Sequence, residues 1–262
     1  METIDYLKDY YGSYDENGRL ASKHGAIEYL TTMKYVEKYL KPGMRVLEIG
    51  AATGRYSHAL AQKGYRVDAV ELIEHNIEIF KQNTREGENI TVTQGNAVDL
   101  SAFDSDTYDI TLLLGPMYHL FTEEDKLAAL SEAIRVTKKG GIIFAAYCMG
   151  DASVLSYGFI RGEIFSIIEK CMLNTETFDT YSNPWDIFEL YRKEDIDRLR
   201  EQFNVTQLHF VASDGYTNHM RETVDSMDER MYELYLKYHF ATCERQDMVG
   251  YSHHTLDIFR KE

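Results

Sequence analysis

The chain has 262 residues, which suits one large domain or one domain with a sizeable insertion. Apolar residues make up 44% and aromatic residues 13%, enough for a packed core, so wholesale disorder is excluded. The formal net charge is −15, and the sequence contains no dense run of Lys or Arg. Such a chain repels phosphate backbones, so we expect no nucleic-acid partner.

The compartment is predicted from cysteine spacing and from apolar runs. Cys148, Cys171 and Cys243 are far apart and form no CxxC pair, so neither a disulfide framework nor a structural zinc site is indicated. The N-terminus lacks a hydrophobic signal region, and the longest apolar run, at 142–149, is too short to span a bilayer. We therefore expect a cytoplasmic protein without membrane contact.

Helix and strand patterns alternate from residue 25 to residue 150. The apolar periodicity, with glycine and proline stops, predicts helices at 25–40, 54–64, 74–87 and 122–140, and strands at 45–50, 66–72, 89–95, 108–115 and 141–148. Strands joined through helices pair in parallel by right-handed crossovers. The prediction is an α/β fold with a doubly wound, mostly parallel sheet, whose ligand binds at the carboxyl ends of the strands.

The pattern changes after residue 150. Residues 151–204 have no clear strand, and two late strands follow at 205–213 and 254–261, separated by a helical stretch at about 219–245. We predict one domain over 1–262, with its core at 25–150 and 205–262. The N-terminal segment 1–24 and the insertion 151–204 are predicted to form a cap over the acceptor site.

A glycine turn follows the first strand in the sequence RVLEIGAATGRYSHAL, residues 45–60. A dinucleotide turn, G-x-G-x-x-G, needs its second and third glycines for the pyrophosphate and for helix packing, and those positions are Ala52 and Arg55 here. Glu48 adds a carboxylate that repels a diphosphate but suits an ammonium group. These residues favour S-adenosylmethionine (SAM), which carries an ammonium and a sulfonium, over a dinucleotide.

Glu71 ends the second strand, 21 residues after Gly50. A carboxylate at that place accepts hydrogen bonds from both ribose hydroxyls, in dinucleotide sites as in SAM sites. Glu71 therefore predicts an adenosine-containing ligand without choosing between the two.

The segment VLEIGAATG resembles motif I of class I SAM-dependent methyltransferases, E/D-x-G-x-G-x-G, with Ala52 in place of the middle glycine. The resemblance covers about 40–150 and 205–261. It implies a seven-stranded Rossmann-like sheet with an antiparallel last strand, and SAM as cofactor with S-adenosylhomocysteine (SAH) as product. The cofactor-binding residues it implies, together with those of the turn itself, are Glu48, Gly50, Ala51, Ala52, Gly54, Glu71, Leu72, Asn96, Ala97 and Gly115. The loop GPMYHL at 115–120 is similar to that of uncharacterised bacterial members of the small-molecule type.

Chemistry is predicted at the loop after the fourth strand. His119 is the candidate general base, or a hydrogen-bond partner for substrate or cofactor, and a buried structural histidine is the alternative. Tyr118 is predicted to be a pocket wall beside it. The loop lacks the D/N-P-P-Y sequence of nucleic-acid base methylation. Neither HxH nor HExxH occurs, so no metal is predicted.

Four residues are candidates for a lid or an acceptor wall: Tyr11, Tyr14, Arg19 and Trp185. A surface helix for the first three and packing within the cap for Trp185 are the alternatives. The function predicted is methyl transfer from SAM to a small-molecule acceptor at an O, N, C or S nucleophile. A nicotinamide-dependent oxidoreductase, a tRNA or protein methyltransferase, and a non-catalytic SAM-binding module stay open as alternatives, and a homodimer is compatible with the sequence.

Overall fold

One mixed β-sheet of eight strands organises the part of the chain that the computed structural model describes, residues 3–12 and 22–262. The strands are β1 (Arg45–Ile49), β2 (Arg66–Glu71), β3 (Ile90–Gln94), β4 (Tyr108–Leu113), β5 (Thr137–Met149), β6 (Leu190–Tyr191), β7 (Val205–Ala212) and β8 (His254–Lys261). Their order is β3-β2-β1-β4-β5-β8-β7, and β6 pairs with the end of β5. Strand β8 is antiparallel to β5 and β7, as the sequence predicted, while the other pairings are parallel.

Helices flank this sheet. They are α1 (Thr3–Tyr11), α2 (Lys23–Tyr39), α3 (Arg55–Gln62), α4 (Glu74–Asn83), α5 (Glu123–Val136), α6 (Gly150–Ser153), α7 (Ile164–Glu169), α8 (Lys193–Arg200), α9 (Arg221–Asp225) and α10 (Glu229–Thr242). A π-helix at Val154–Ile160 continues α6, and short 3₁₀ turns include Pro116–His119 and Pro184–Asp186. None of the helices in the described ranges is both long enough and apolar enough to cross a membrane.

The central strands β1, β4 and β5 consist mostly of apolar residues because they are covered on both faces. Val46, Leu47 and Ile49 of β1 have no exposed surface, and neither have Ile143 and Phe144 of β5. Continuous apolar runs of this kind are the mark of parallel strands between helix layers. The predicted fold class, a doubly wound and mostly parallel α/β sheet, is confirmed.

Two predicted elements differ from the structure. Helix α5 ends at Val136 rather than at Gly140, because Thr137 turns the backbone to extended geometry and pairs with Tyr108 at the start of β5. The hydroxyl of Thr137 also donates to the Ala133 carbonyl in the last helical turn. The segment 151–204, predicted without strands, contains the two-residue strand β6, so the sheet has eight strands instead of seven.

The chain reverses its direction of winding between β1 and β4, which are neighbours in the sheet although β2 and β3 come between them in sequence. The turns that leave these two strands touch: a Cβ on Gly50 would lie 2.6 Å from Pro116 Cδ and 3.4 Å from Gly115 Cα. Ligands of doubly wound sheets bind at this reversal. Both turns were predicted from the sequence to carry the site.

Candidate active site

The turn after β1 has a backbone that L-residues rarely adopt. Gly50 has a φ of +78° and Gly54 a φ of +90°, and between them Ala52 has a φ of +46°. The left-handed region costs a residue with a Cβ roughly 1–2 kcal/mol. The middle glycine of the motif therefore corresponds to a real conformational demand here, which Ala52 meets under strain.

The Glu71 carboxylate fixes that strained turn. It accepts the Ala52 N–H at 2.7 Å, the Ile73 N–H at 2.9 Å and the Asn76 amide at 3.3 Å. The residue is 6% exposed, and burial raises the pKa of its carboxyl while these hydrogen bonds act to lower it. A carboxylate offers about four lone-pair sites, so three protein donors leave it capacity for a ligand hydroxyl.

Glu48 is a buried carboxyl group with a hydroxyl for a partner. It is 2% exposed and accepts a short hydrogen bond from Ser57 of α3. Among the described residues, no Lys, Arg or His forms a salt bridge with it. Burial raises its pKa to about 8, so a positive ligand group would supply the charge that the protein around it does not.

A cavity of about 530 Å³ opens at this edge of the sheet. Its walls come from the ends of β1, β2, β3 and β4, from α1, and from the turn at Pro184. The sequence-predicted residues that line it are Tyr11, Glu48, Gly50, Ala51, Ala52, Glu71, Leu72, Asn96, Ala97, Gly115, Tyr118 and His119. Pockets of this size suit a cofactor together with a small molecule.

His119 lies in the wall of the cavity, and both of its ring nitrogens have partners. Nδ1 is 2.7 Å from the Ile187 carbonyl oxygen, and Nε2 is 2.9 Å from the Tyr11 hydroxyl. Burial lowers the pKa of the imidazole to about 4, and the bond to Ile187 offsets only part of that shift. His119 is therefore an uncharged ring at neutral pH.

Comparison with known proteins agrees with this geometry. Residues 46–141, which hold the glycine turn, both glutamates and the start of β5, match the family model of the methyltransferase domain. This matched stretch, which is less than half of the chain, is similar to class I SAM-dependent methyltransferases. The resemblance seen in motif I is confirmed, as is SAM as the cofactor of the family.

The relatives of this chain are distant. It is 30% identical over 108 residues to the demethylmenaquinone methyltransferase of Staphylococcus aureus, covering 40% of this chain and 43% of that one. It is 24% identical over 143 residues to the ubiquinone biosynthesis O-methyltransferase of Methylocella silvestris, covering 55% and 50%. The chain thus spans about half or less of the length of these relatives. A SAM-dependent methyltransferase structure from Thermotoga maritima shares the fold over 100% of both chains, with a TM-score of 0.59 and 18% identity.

Two of the predicted site residues, Gly54 and Trp185, do not line the cavity. A Cβ on Gly54 would lie 2.5 Å from Phe80, so this glycine serves the packing of α3 on α4. Trp185 is 45% exposed, whereas its neighbour Pro184 lines the cavity. Tyr14 and Arg19 lie outside the described residues. Asn96 is exposed at the rim, where its side chain accepts the Val98 N–H at 3.3 Å.

Other residues of the site were not predicted from the sequence. Ser57 carries the partner hydroxyl of Glu48, and Ile187 supplies a carbonyl from the cap. Thr3, Ile4 and Leu7 of α1 add an apolar wall. Thr122 and Asp125 also line the cavity, and the Asp125 N–H donates to the Thr122 hydroxyl at the start of α5. The T-x-x-D spacing of this pair is a helix-capping signal, whereas backbone carbonyls and long-range packing leave no motif in the sequence.

One cluster of potential metal ligands arises from the tertiary fold alone. Glu28, Asp214 and His254 bring their ligand atoms within 4.8 Å of one another, although their spacing in the sequence gave no metal motif. His254 Nδ1 lies 2.8 Å from Asp214, which also accepts hydrogen bonds from Ser252 and Asn218. The Asp214 oxygens are thus satisfied by protein donors, which is the arrangement of a buried ion-pair network.

Proposed function

We propose that this protein transfers the methyl group of SAM to a small-molecule acceptor bound in the same cavity. The observation that carries the proposal is the continuity of the cavity. Glu48 and Glu71, suited to the ammonium and the ribose of SAM, line it together with Tyr118 and His119, which lie in the turn after β4. A cofactor and an acceptor held side by side at one sheet edge can be aligned for direct transfer.

The chain's own residues fit SAM in three places. We propose that Glu48 holds the ammonium of its methionine part, that Glu71 accepts from a ribose hydroxyl, and that Asn96 and Ala97 contact the adenine. Glu48 supports this most directly, because its buried carboxyl pairs with a hydroxyl and lacks a cation among the described residues. When bound, SAM supplies a methyl group already activated on a cationic sulfonium.

His119 is proposed to orient the acceptor through a hydrogen bond. An imidazole with a pKa near 4 is uncharged at pH 7 but is a weak proton acceptor, so it serves better for orientation than for taking a full proton. Its Nε2 accepts a hydrogen bond, as it does here from the Tyr11 hydroxyl. An acceptor that presents an N–H or O–H group would take the place of the Tyr11 hydroxyl at Nε2, whereas a carboxylate or a phosphate has no hydrogen to donate there.

The position of the cap is an argument for a small acceptor. Helix α1 lines one side of the cavity, and Pro184 of the segment 151–204 lines another. We propose that 1–24 and 151–204 act together as the cap over the core at 25–150 and 205–262. The net charge of −15 disfavours RNA as the acceptor.

Calorimetric titration with SAH and, separately, with NAD tests the cofactor. We expect SAH to bind and NAD to give no heat; NAD binding without SAH binding would reject the proposal in favour of an oxidoreductase. Incubation with methyl-labelled SAM and three fractions of a cell extract then tests the acceptor. Label in the small-molecule fraction supports the proposal, whereas label in RNA or protein, or in none of the fractions, contradicts it.

A further inference from the structure

A segment of the cap, residues 187–191, lies directly on the loop that carries His119. We call this segment the strap. The Glu189 N–H donates to the Tyr118 carbonyl at 2.8 Å, and the Tyr191 hydroxyl donates to the Met117 carbonyl at 2.6 Å. The Glu189 carboxylate also pairs with Lys126 of α5 at 2.5 Å, with both side chains mostly buried. The strap is thus bonded to the loop and to the helix that follows it.

The residue at the head of the strap has an unusual backbone. Ile187 has a φ of +59° and is 5% exposed. A β-branched residue in the left-handed region is a genuine outlier, and such strain persists only where its surroundings enforce it. Ile187 packs against Leu7 of α1 and Ile73, and its N–H donates to the Pro184 carbonyl at 3.2 Å.

This backbone directs the Ile187 carbonyl at His119 Nδ1, at 2.7 Å. A carbonyl oxygen only accepts hydrogen bonds, so Nδ1 must carry the proton of the uncharged ring. Nε2 then holds the lone pair, and the bond from the Tyr11 hydroxyl at 2.9 Å has the matching direction. One strained carbonyl in the cap therefore decides which nitrogen of His119 accepts hydrogen bonds at the cavity.

We propose that Ile187 is a positioning residue that fixes the tautomer of His119, so that the cap determines the hydrogen-bonding character of the acceptor site. The inference deepens the proposed function, because it explains why Nε2 offers a lone pair to an acceptor. It concerns the free protein, however, so it can be tested without any methyl transfer.

Two-dimensional NMR of the imidazole nitrogens in the ¹⁵N-labelled protein tests the tautomer directly. A protonated and an unprotonated ring nitrogen have clearly separate shifts, and His119→Gln identifies the His119 signals by their loss. We expect a protonated Nδ1 and an unprotonated Nε2 in the wild type, unchanged between pH 8 and pH 6. A protonated Nε2, or an averaged pair of shifts, would overturn the proposal.

The role of Ile187 is tested by a matched pair of variants. Ile187→Gly keeps the left-handed backbone accessible, so His119 should keep its tautomer. Ile187→Pro fixes φ near −65° and removes the N–H, so its carbonyl must turn away and His119 should populate the other tautomer. An unchanged tautomer in Ile187→Pro would remove Ile187 from this role.

A second variant guards against failure of Ile187→Pro to fold. Ile187→Ala keeps a Cβ but loses the packing against Leu7 and Ile73 that enforces the left-handed backbone. The backbone should relax and shift part of the His119 population to the second tautomer. A fully wild-type spectrum in this folded variant would contradict the proposal. A wild-type protein with the expected tautomer but no methyl transfer would instead reject the proposed function alone.

Discussion

The carboxylate of Glu71 accepts the backbone N–H of Ala52 at 2.7 Å, which ties the end of β2 to the most strained residue of the turn after β1. The same carboxylate accepts the Ile73 N–H and is 6% exposed. Glu71, which the sequence predicts to bind the ligand, therefore also stabilises the backbone of the turn that forms the site. Loss of this side chain should affect folding and binding together.

Glu71→Ala is expected to lower both SAH affinity and stability. It leaves the N–H groups of Ala52 and Ile73 buried without acceptors, which costs about 1–3 kcal/mol for each group. Calorimetry with SAH and thermal unfolding measure the two effects. Glu74→Ala, an exposed change in the first turn of α4, is the control and should leave both quantities nearly unchanged. Wild-type SAH affinity in Glu71→Ala would remove Glu71 from the site.

Ala52→Gly is expected to stabilise the protein by about 1 kcal/mol or less. The change relieves a Cβ held at a φ of +46°, and the greater flexibility of glycine in the unfolded chain offsets part of that gain. The Tm should rise by roughly 2–4 °C per kcal/mol, with SAH binding retained. Ala51→Gly, at the adjacent residue without positive φ, should lower the Tm instead. A fall in Tm for both variants would show that Ala52 is not strained.

Glu48→Gln is expected to stabilise the protein progressively as the pH rises. The folded-state pKa of Glu48 is raised by burial to about 8, above its ordinary value of 4.5. Between these two values the folded protein holds a proton that the unfolded chain lacks, so wild-type stability falls as pH rises, by at most about 1.4 kcal/mol per unit.

Glutamine at position 48 does not titrate, and its side-chain oxygen still accepts the hydrogen bond from the Ser57 hydroxyl. The difference in Tm between Glu48→Gln and the wild type should therefore be small at pH 5 and largest near pH 8. SAH affinity should fall in the same variant, because an amide does not balance an ammonium charge. A Tm difference independent of pH would mean that Glu48 is already ionised in the folded protein.

The sequence predicted the parts of this structure that depend on local pattern. The periodicity of apolar residues and the glycine and proline stops predicted most helices and strands of the core. The positions of Gly50, Glu71 and Gly115 at strand ends predicted the edge of the sheet where the cavity opens. Helix α5 was predicted too long because Lys138 and Gly140 suit a helix end as well as a strand start. Pairing with β4, a tertiary interaction, decides between them.

The acceptor side of the cavity was less predictable. His119 was identified from its loop, but the atom that sets its tautomer is a main-chain carbonyl 68 residues away, in a cap without a recognisable motif. Trp185 stood out in composition, yet it is half exposed while Pro184 lines the cavity. Such contacts depend on backbone groups and on residues that are distant in the sequence, so they cannot be predicted from residue type alone.

Tyr11→Phe is expected to loosen α1 at the mouth of the cavity. The variant loses the hydrogen bond from Tyr11 to His119 Nε2, worth about 1 kcal/mol. The amides of Thr3–Tyr11 should then exchange with deuterium roughly fivefold faster, since about 1 kcal/mol corresponds to that factor. Tyr6→Phe is the control, because Tyr6 packs against the same apolar cluster. Equal exchange in both variants would mean that the bond to His119 does not hold the helix.

Arg200→Ala is expected to destabilise the protein by about 3–5 kcal/mol, because it strands a buried carboxylate. Arg200 of α8 pairs with Asp257 of β8 at 2.7 Å, and the Asp257 side chain has no exposed surface. Arg198 lies two residues before Arg200 on the same helix. It pairs with Glu123 at 2.9 Å, but more than half of each side chain is exposed. Arg198→Ala should therefore cost about 1 kcal/mol or less in urea unfolding. If the two variants lose the same stability, α8 is not anchored to the core through Asp257, and the boundary of the cap must lie after α8.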